Sequence, residues 1–154
     1  MKKLIIISVL IFFNFLIGSA QSLNYSETAK YISSKLETFN QQSVDYKCDI
    51  SQYGLITEQF KTFGGKGAMV KNTVNINDIS KIELVKSLVA SDQYFIYFYC
   101  KSGKCANVLG YSTSVFHILF TSTELDAQRL HKAFLHLQNL AKNTKDPFDC
   151  KHPA

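Results

Sequence analysis

Residues 94–109, YFIYFYCKSGKCANVL, constrain the fold more than any other stretch of this chain. They open with six consecutive apolar or aromatic residues. A run that short and that apolar reads as a buried strand. Lys101, Ser102, Gly103 and Lys104 then supply turn chemistry, and residues 105–109 return as a second strand. With Ser102 and Gly103 at the turn, Lys101 and Lys104 close it by hydrogen bonds. Cys100 then faces Cys105 across a non-hydrogen-bonded pair, with Cα atoms roughly 4.5–5.5 Å apart. A disulfide needs roughly 4.4–6.8 Å, so Cys100–Cys105 is the expected bridge. A zinc site would need a second pair of ligands at similar spacing, which Cys48 and Cys150 do not provide.

The N-terminus supports the oxidised reading. Met1, Lys2 and Lys3 precede an apolar run over residues 4–17, broken only by Ser8 and Asn14, and Gly18, Ser19 and Ala20 follow. A basic start, an apolar middle and small residues at the end make a secretory signal peptide over residues 1–20. The apolar run is shorter than the roughly 20 residues a spanning helix needs. The expected mature protein is therefore exported, periplasmic or secreted, with no membrane span, and begins at Gln21. Residues 21–154 fit one domain. Four cysteines in an exported chain favour two disulfides. Three pairings are possible; the one expected is Cys100–Cys105 with Cys48–Cys150.

Charge narrows the partners. The chain carries 17 Lys+Arg and 12 Asp+Glu, and only one of those cations, Arg129, is arginine. The excess is mild and forms no basic stripe, and bidentate phosphate and base contacts favour arginine. Nucleic acid is not an expected partner.

Read in order, residues 24–40 form an amphipathic helix, with Tyr25, Ala29, Ile32, Leu36 and Phe39 on one face. Asn24 caps it and Glu27 completes a capping box. Residues 44–50 alternate as a half-buried strand that turns Val44, Tyr46, Cys48 and Ile50 inward. Residues 51–54 turn, and residues 55–63 form a weaker strand with Ile56 and Phe60 on one side. Gly64, Gly65, Lys66 and Gly67 form a loop; no Ser or Thr follows Lys66, so it is not a phosphate-binding loop. Residues 68–76 alternate with Val70, Val74 and Ile76 on one face, interrupted by Asn72. Residues 79–88 follow, with Ile82, Leu84 and Leu88 on one face. Residues 110–114 read as a turn, and residues 115–120 as the last strand, with Phe116, Ile118 and Phe120 inward. Residues 123–142 give the strongest helix: Leu130, Ala133, Phe134, Leu137, Leu140 and Ala141 form its stripe. Thr123 and Asp126 start it, and Lys142, Lys145 and Pro147 mark its end. The tail, residues 146–154, carries Cys150.

The fold class is thus α+β: an N-terminal helix, about seven antiparallel strands and a long C-terminal helix. The passage VNINDISKIEL at residues 74–84 and the helix AQRLHKAFLHL at residues 127–137 carry a resemblance. Over residues 44–142 the order of elements resembles the pleckstrin-homology-like superfold, as found in small exported bacterial proteins of unassigned function. The resemblance implies a partly closed sheet capped by the last helix. Lipid-headgroup binding in that family uses cations around the first strand loop; Ser51, Gln52, Tyr53 and Gly54 offer none, so that activity is not implied. The alternative architecture is an open antiparallel sheet with both helices on one face.

The chain offers no catalytic, cofactor-binding or metal-ligating set. His131 and His136 stand five apart, diverging by about 140° on a helix, and read as surface residues. His117 lies opposite Phe116 and Ile118 as an outward or groove-lining residue. Asp45 and Asp49 read as solvated, and Gly-x-Ser-x-Gly is absent. The expected function is a non-catalytic binding or interaction domain, using strand edges or a helix-flanked groove for a protein or peptide. The alternative is a carrier of a small apolar ligand or lipid in an aromatic-lined cavity; Tyr94, Phe95, Tyr97, Phe98 and Tyr99 suit either reading, and core packing as well.

Overall fold

The structure is a computed structural model, and it describes residues 23–40, 45–61 and 67–143. The expected signal peptide, Val44, the glycine loop up to Lys66, and the tail with Lys145, Pro147 and Cys150 lie outside the described residues.

Helix α1 (Tyr25–Phe39) starts as its sequence dictates: the Asn24 side chain accepts from the Glu27 amide and the Glu27 carboxylate accepts from the Asn24 amide. Strands β1 (Lys47–Ile50), β2 (Leu55–Lys61) and β3 (Met69–Asn75) form an antiparallel meander. A 3-10 turn (Ile76–Asp78) leads into β4 (Ile79–Lys86) and β5 (Gln93–Cys100). Short β6 (Ala106–Val108) and β7 (Tyr111–Thr113) precede β8 (Val115–Thr121) and helix α2 (Glu124–Asn143). Thr123 opens α2, its hydroxyl accepting from the Asp126 amide at 3.2 Å.

The α+β class holds, with eight strands rather than about seven. They divide into two sheets instead of one partly closed one: β1-β2-β3-β6-β7 and β4-β5-β8. The expected hairpin across the cysteines does not form, because β5 pairs with β4 and β8 whereas β6 pairs with β3 and β7. The Lys101 amide donates to the Asp78 carbonyl at 2.8 Å and the Cys105 amide to the Thr113 carbonyl at 3.1 Å. Those two bonds carry the chain from one sheet to the other. The Cys100–Cys105 disulfide forms as expected, Cα atoms 5.7 Å apart, but it staples this crossover and not a hairpin.

The extra strand β7 arises from a tight turn over Leu109 and Gly110, both at positive φ (53° and 84°). Two such residues make the turn that matches strand twist. Leucine disfavours that conformation, so its own identity does not announce the turn. Asn72 and Asn107 hold it, accepting from the Leu109 and Gly110 amides, each at 3.1 Å.

One core joins both sheets and both helices. Phe98 lies 5.5 Å from Phe116 and 5.1 Å, edge on, from Phe134 of α2. The stripe of α2 therefore covers the inner face of β4-β5-β8. Leu88 does not share the buried face of β4; with Val89 it stands fully exposed at the β4–β5 tip.

Candidate functional site

The inner face of the five-stranded sheet is apolar except in one transverse row. Registers place Cys48 opposite Glu58 and Glu58 opposite Asn72, with Ile50, Ile56 and Val74 in the next row. Glu58 is 5% exposed and Asn72 6%. Tyr46 Oη donates to Glu58 Oε1 at 3.2 Å, and Asn72 Nδ2 donates to Glu58 Oε2 at 3.1 Å. Burial raises the Glu58 carboxyl above its ordinary range, against the two hydrogen bonds that favour the anion. Burial also raises the Tyr46 phenol, and pushes the Cys48 thiol up to about 12, with the Glu58 charge adding to both. Among the described residues no cation forms a salt bridge with Glu58; the three ion pairs are Lys61–Asp45, Lys81–Glu83 and Arg129–Asp126.

This row opens on a cleft of about 290 Å³ between the two sheets, lined on one side by Tyr46, Glu58, Phe60, Asn72 and Val108 and on the other by His117 and Leu119. Strand β8 forms that second wall, and among the described residues it pairs on one side only, with β5. Its bonds to β5 run through the even-numbered residues: Cys100 donates to the Ser114 carbonyl and Ser122 to the Asp92 carbonyl, at the two ends of one register. Antiparallel pairing alternates, so the N–H and C=O groups of His117, Leu119 and Thr121 point away from β5. Among the described residues none of these groups has a hydrogen-bond partner. The opposite edge of the same sheet is treated differently. Helix α2 covers β4, where His131 Nε2 meets the Ile82 carbonyl at 3.2 Å and Gln138 Nε2 donates to the Ile79 carbonyl at 2.7 Å. His131 is thus an edge-capping side chain, not a free surface residue. His136 meets the Leu23 carbonyl at 2.8 Å.

Outside the cleft the aromatic run splits by strand alternation. Tyr94 and Phe98 are buried, whereas Phe95, Tyr97 and Tyr99 form a half-exposed ladder with neighbouring centroids 5.8 and 6.3 Å apart. His117 joins it, 5.4 Å from Tyr97 and 5.8 Å from Phe95. His117 therefore belongs both to the aromatic face and to the cleft, as its groove-lining reading required.

A second concavity of about 430 Å³ lies between α1 and β1, walled by Tyr25, Lys30, Ser33, Glu37, Cys48 and Asp49. Cys48 is a buried free thiol here; its expected partner, Cys150, lies outside the described residues. Among the described residues no group of three His, Cys, Asp or Glu side chains is placed to hold a metal ion. No described helix is long and apolar enough to cross a membrane.

Asn72 was visible in the sequence as a break in an apolar face. Glu58, between Ile56 and Phe60, breaks the neighbouring strand in the same way, with no motif of its own to single it out. Setting the two strands side by side brings both breaks into one row, and that pairing was the available signal. Compared with protein-family models, curated proteins and solved structures, the chain matches none.

Proposed function

We propose that this is an exported, non-catalytic binding domain that takes an extended segment of a peptide or protein along the free edge of β8. The open row of backbone donors and acceptors at His117, Leu119 and Thr121 carries the reading. An extended chain is the ligand whose own backbone answers that row, each bond replacing one made to water. The cleft beside it gives inward side chains of the added strand a place to go, and the aromatic ladder gives outward ones a surface. The Cys100–Cys105 disulfide is compatible with export.

Leu119→Pro tests this. It removes one outward N–H while leaving the bonds to β5 in place, the setting in which an edge strand accepts proline. Random peptides displayed on phage are panned against the mature wild-type protein and the variant, with circular dichroism confirming the fold of each. Enrichment on the wild type that is lost on the variant supports the reading. No enrichment, or equal binding to a folded variant, contradicts it.

A further inference from the structure

We infer that the cleft selects an extended peptide bearing a lysine or arginine side chain, whose cationic head pairs with Glu58. This rests on the edge-binding reading above and assigns the residue that gives it specificity. A strand added to β8 alternates like any other, so every second side chain enters the space between the sheets. What it meets there is the polar row on the floor of the cleft.

Glu58 is unusual for a floor residue. It is more than nine-tenths buried and carries a carboxylate, yet no described cation pairs with it. Buried carboxylates ordinarily have a cationic or metal partner. Tyr46 and Asn72 each give it one hydrogen bond, leaving lone pairs on both oxygens for further donors. These two side chains also fix its position. Asn72 is itself tied to the Leu109 amide, and Tyr46 borders the cleft, so the carboxylate is held in place before any ligand arrives. A cation reaching it from an added strand would form the charge-assisted pair that the fold leaves unmade. The walls around the approach, Phe60 and Val108, suit the methylene stem of a long basic side chain. On the opposite face of the added strand, side chains would lie against His117, Tyr97 and Phe95. The selected peptide is therefore basic on one side and apolar or aromatic on the other.

The test varies the peptide and leaves the protein as it is. Capped, fluorescein-labelled peptides of alternating threonine and valine carry lysine, arginine, methionine or glutamate at one central position. Fluorescence anisotropy reads their affinity for the mature wild-type protein. A charge-assisted bond contributes about 1.5–3 kcal/mol, so lysine and arginine peptides are expected to bind roughly ten- to a hundredfold tighter than methionine, and glutamate weakest. A further set carries N-methyl groups on alternate amides, which block strand pairing without changing the side chains. If these abolish binding while lysine and methionine bind alike, the edge reading stands and selection by Glu58 is overturned. If N-methylation has no effect, or no peptide binds, both are overturned. Glu58→Gln adds an independent arm: the lysine preference is expected to vanish while N-methylation still abolishes binding.

Discussion

Glu58 stands where a stability-minded sequence would place valine or isoleucine, and its titration gives a test. Burial raises its folded pKa above the ordinary value of 4.5. The native state then holds the proton to higher pH than the unfolded chain does. The stabilising contribution is complete below the unfolded value and is lost as pH rises through the folded one. Glu58→Gln cannot lose it. Urea midpoints of the variant are therefore expected to gain on the wild type as pH rises from about 4 to about 7; an unchanged difference would show that Glu58 titrates as if in solvent. Asn72 matters through two partners, Glu58 and the Leu109 amide. Asn72→Leu leaves both short of a hydrogen bond and is expected to cost roughly 1–3 kcal/mol in the same melts. At this scale the sequence was legible wherever a residue obeyed strand alternation. Tyr46, Cys48, Asn72 and His117 were all placed on their correct faces. It was illegible at Leu109, whose left-handed conformation is imposed by asparagines elsewhere in the chain and has no signature in leucine itself.

Helices were the most legible elements, because each carries its own period and its own cap. The α2 stripe could be read from spacing alone, and Phe134 at its middle is fully buried against Phe98. Phe134→Ala is expected to cost roughly 3–5 kcal/mol in denaturant melts, and an unchanged midpoint would place the stripe outside the core. Strand partners were less legible. Residues 94–109 look like a hairpin locally, yet the Lys101 bond to Asp78 and the Cys105 bond to Thr113 send their two halves to different sheets. The disulfide was readable all the same, since its geometry needs only a sharp reversal between Cys100 and Cys105. It closes a short loop, and Cys105→Ser is expected to cost at most about 2 kcal/mol on the chain-entropy model. Cys48 in the α1–β1 concavity keeps the Cys48–Cys150 bridge as a proposal with a larger expected effect, because that loop would span most of the domain. Non-reducing peptide mapping with urea melts of Cys105→Ser and Cys150→Ser decides both; a bridge from Cys48 to Cys100 would refute the pairing, and a larger loss for Cys105→Ser would refute the ranking.

The whole molecule has two treatments for the edges of its three-stranded sheet. Helix α2 covers β4 with His131 and Gln138, as edge strands usually require, while among the described residues β8 has no second partner strand and the Glu58 carboxylate beside it no cation. That contrast supports binding in place of mere packing. On the proposal that the protein is exported, mass analysis of the exported form is expected to find Gln21 at its start, free or cyclised, and a soluble cytoplasmic pool retaining Met1 would contradict it. Amide hydrogen exchange measured by NMR reads the open edge of β8 residue by residue. In the free protein the amides of Phe116, Ile118 and Phe120 are expected to exchange slowly and those of His117, Leu119 and Thr121 fast. Adding the lysine peptide is expected to slow the second set alone. Slow exchange at His117, Leu119 and Thr121 in the free protein, or no slowing when peptide is bound, would contradict the account.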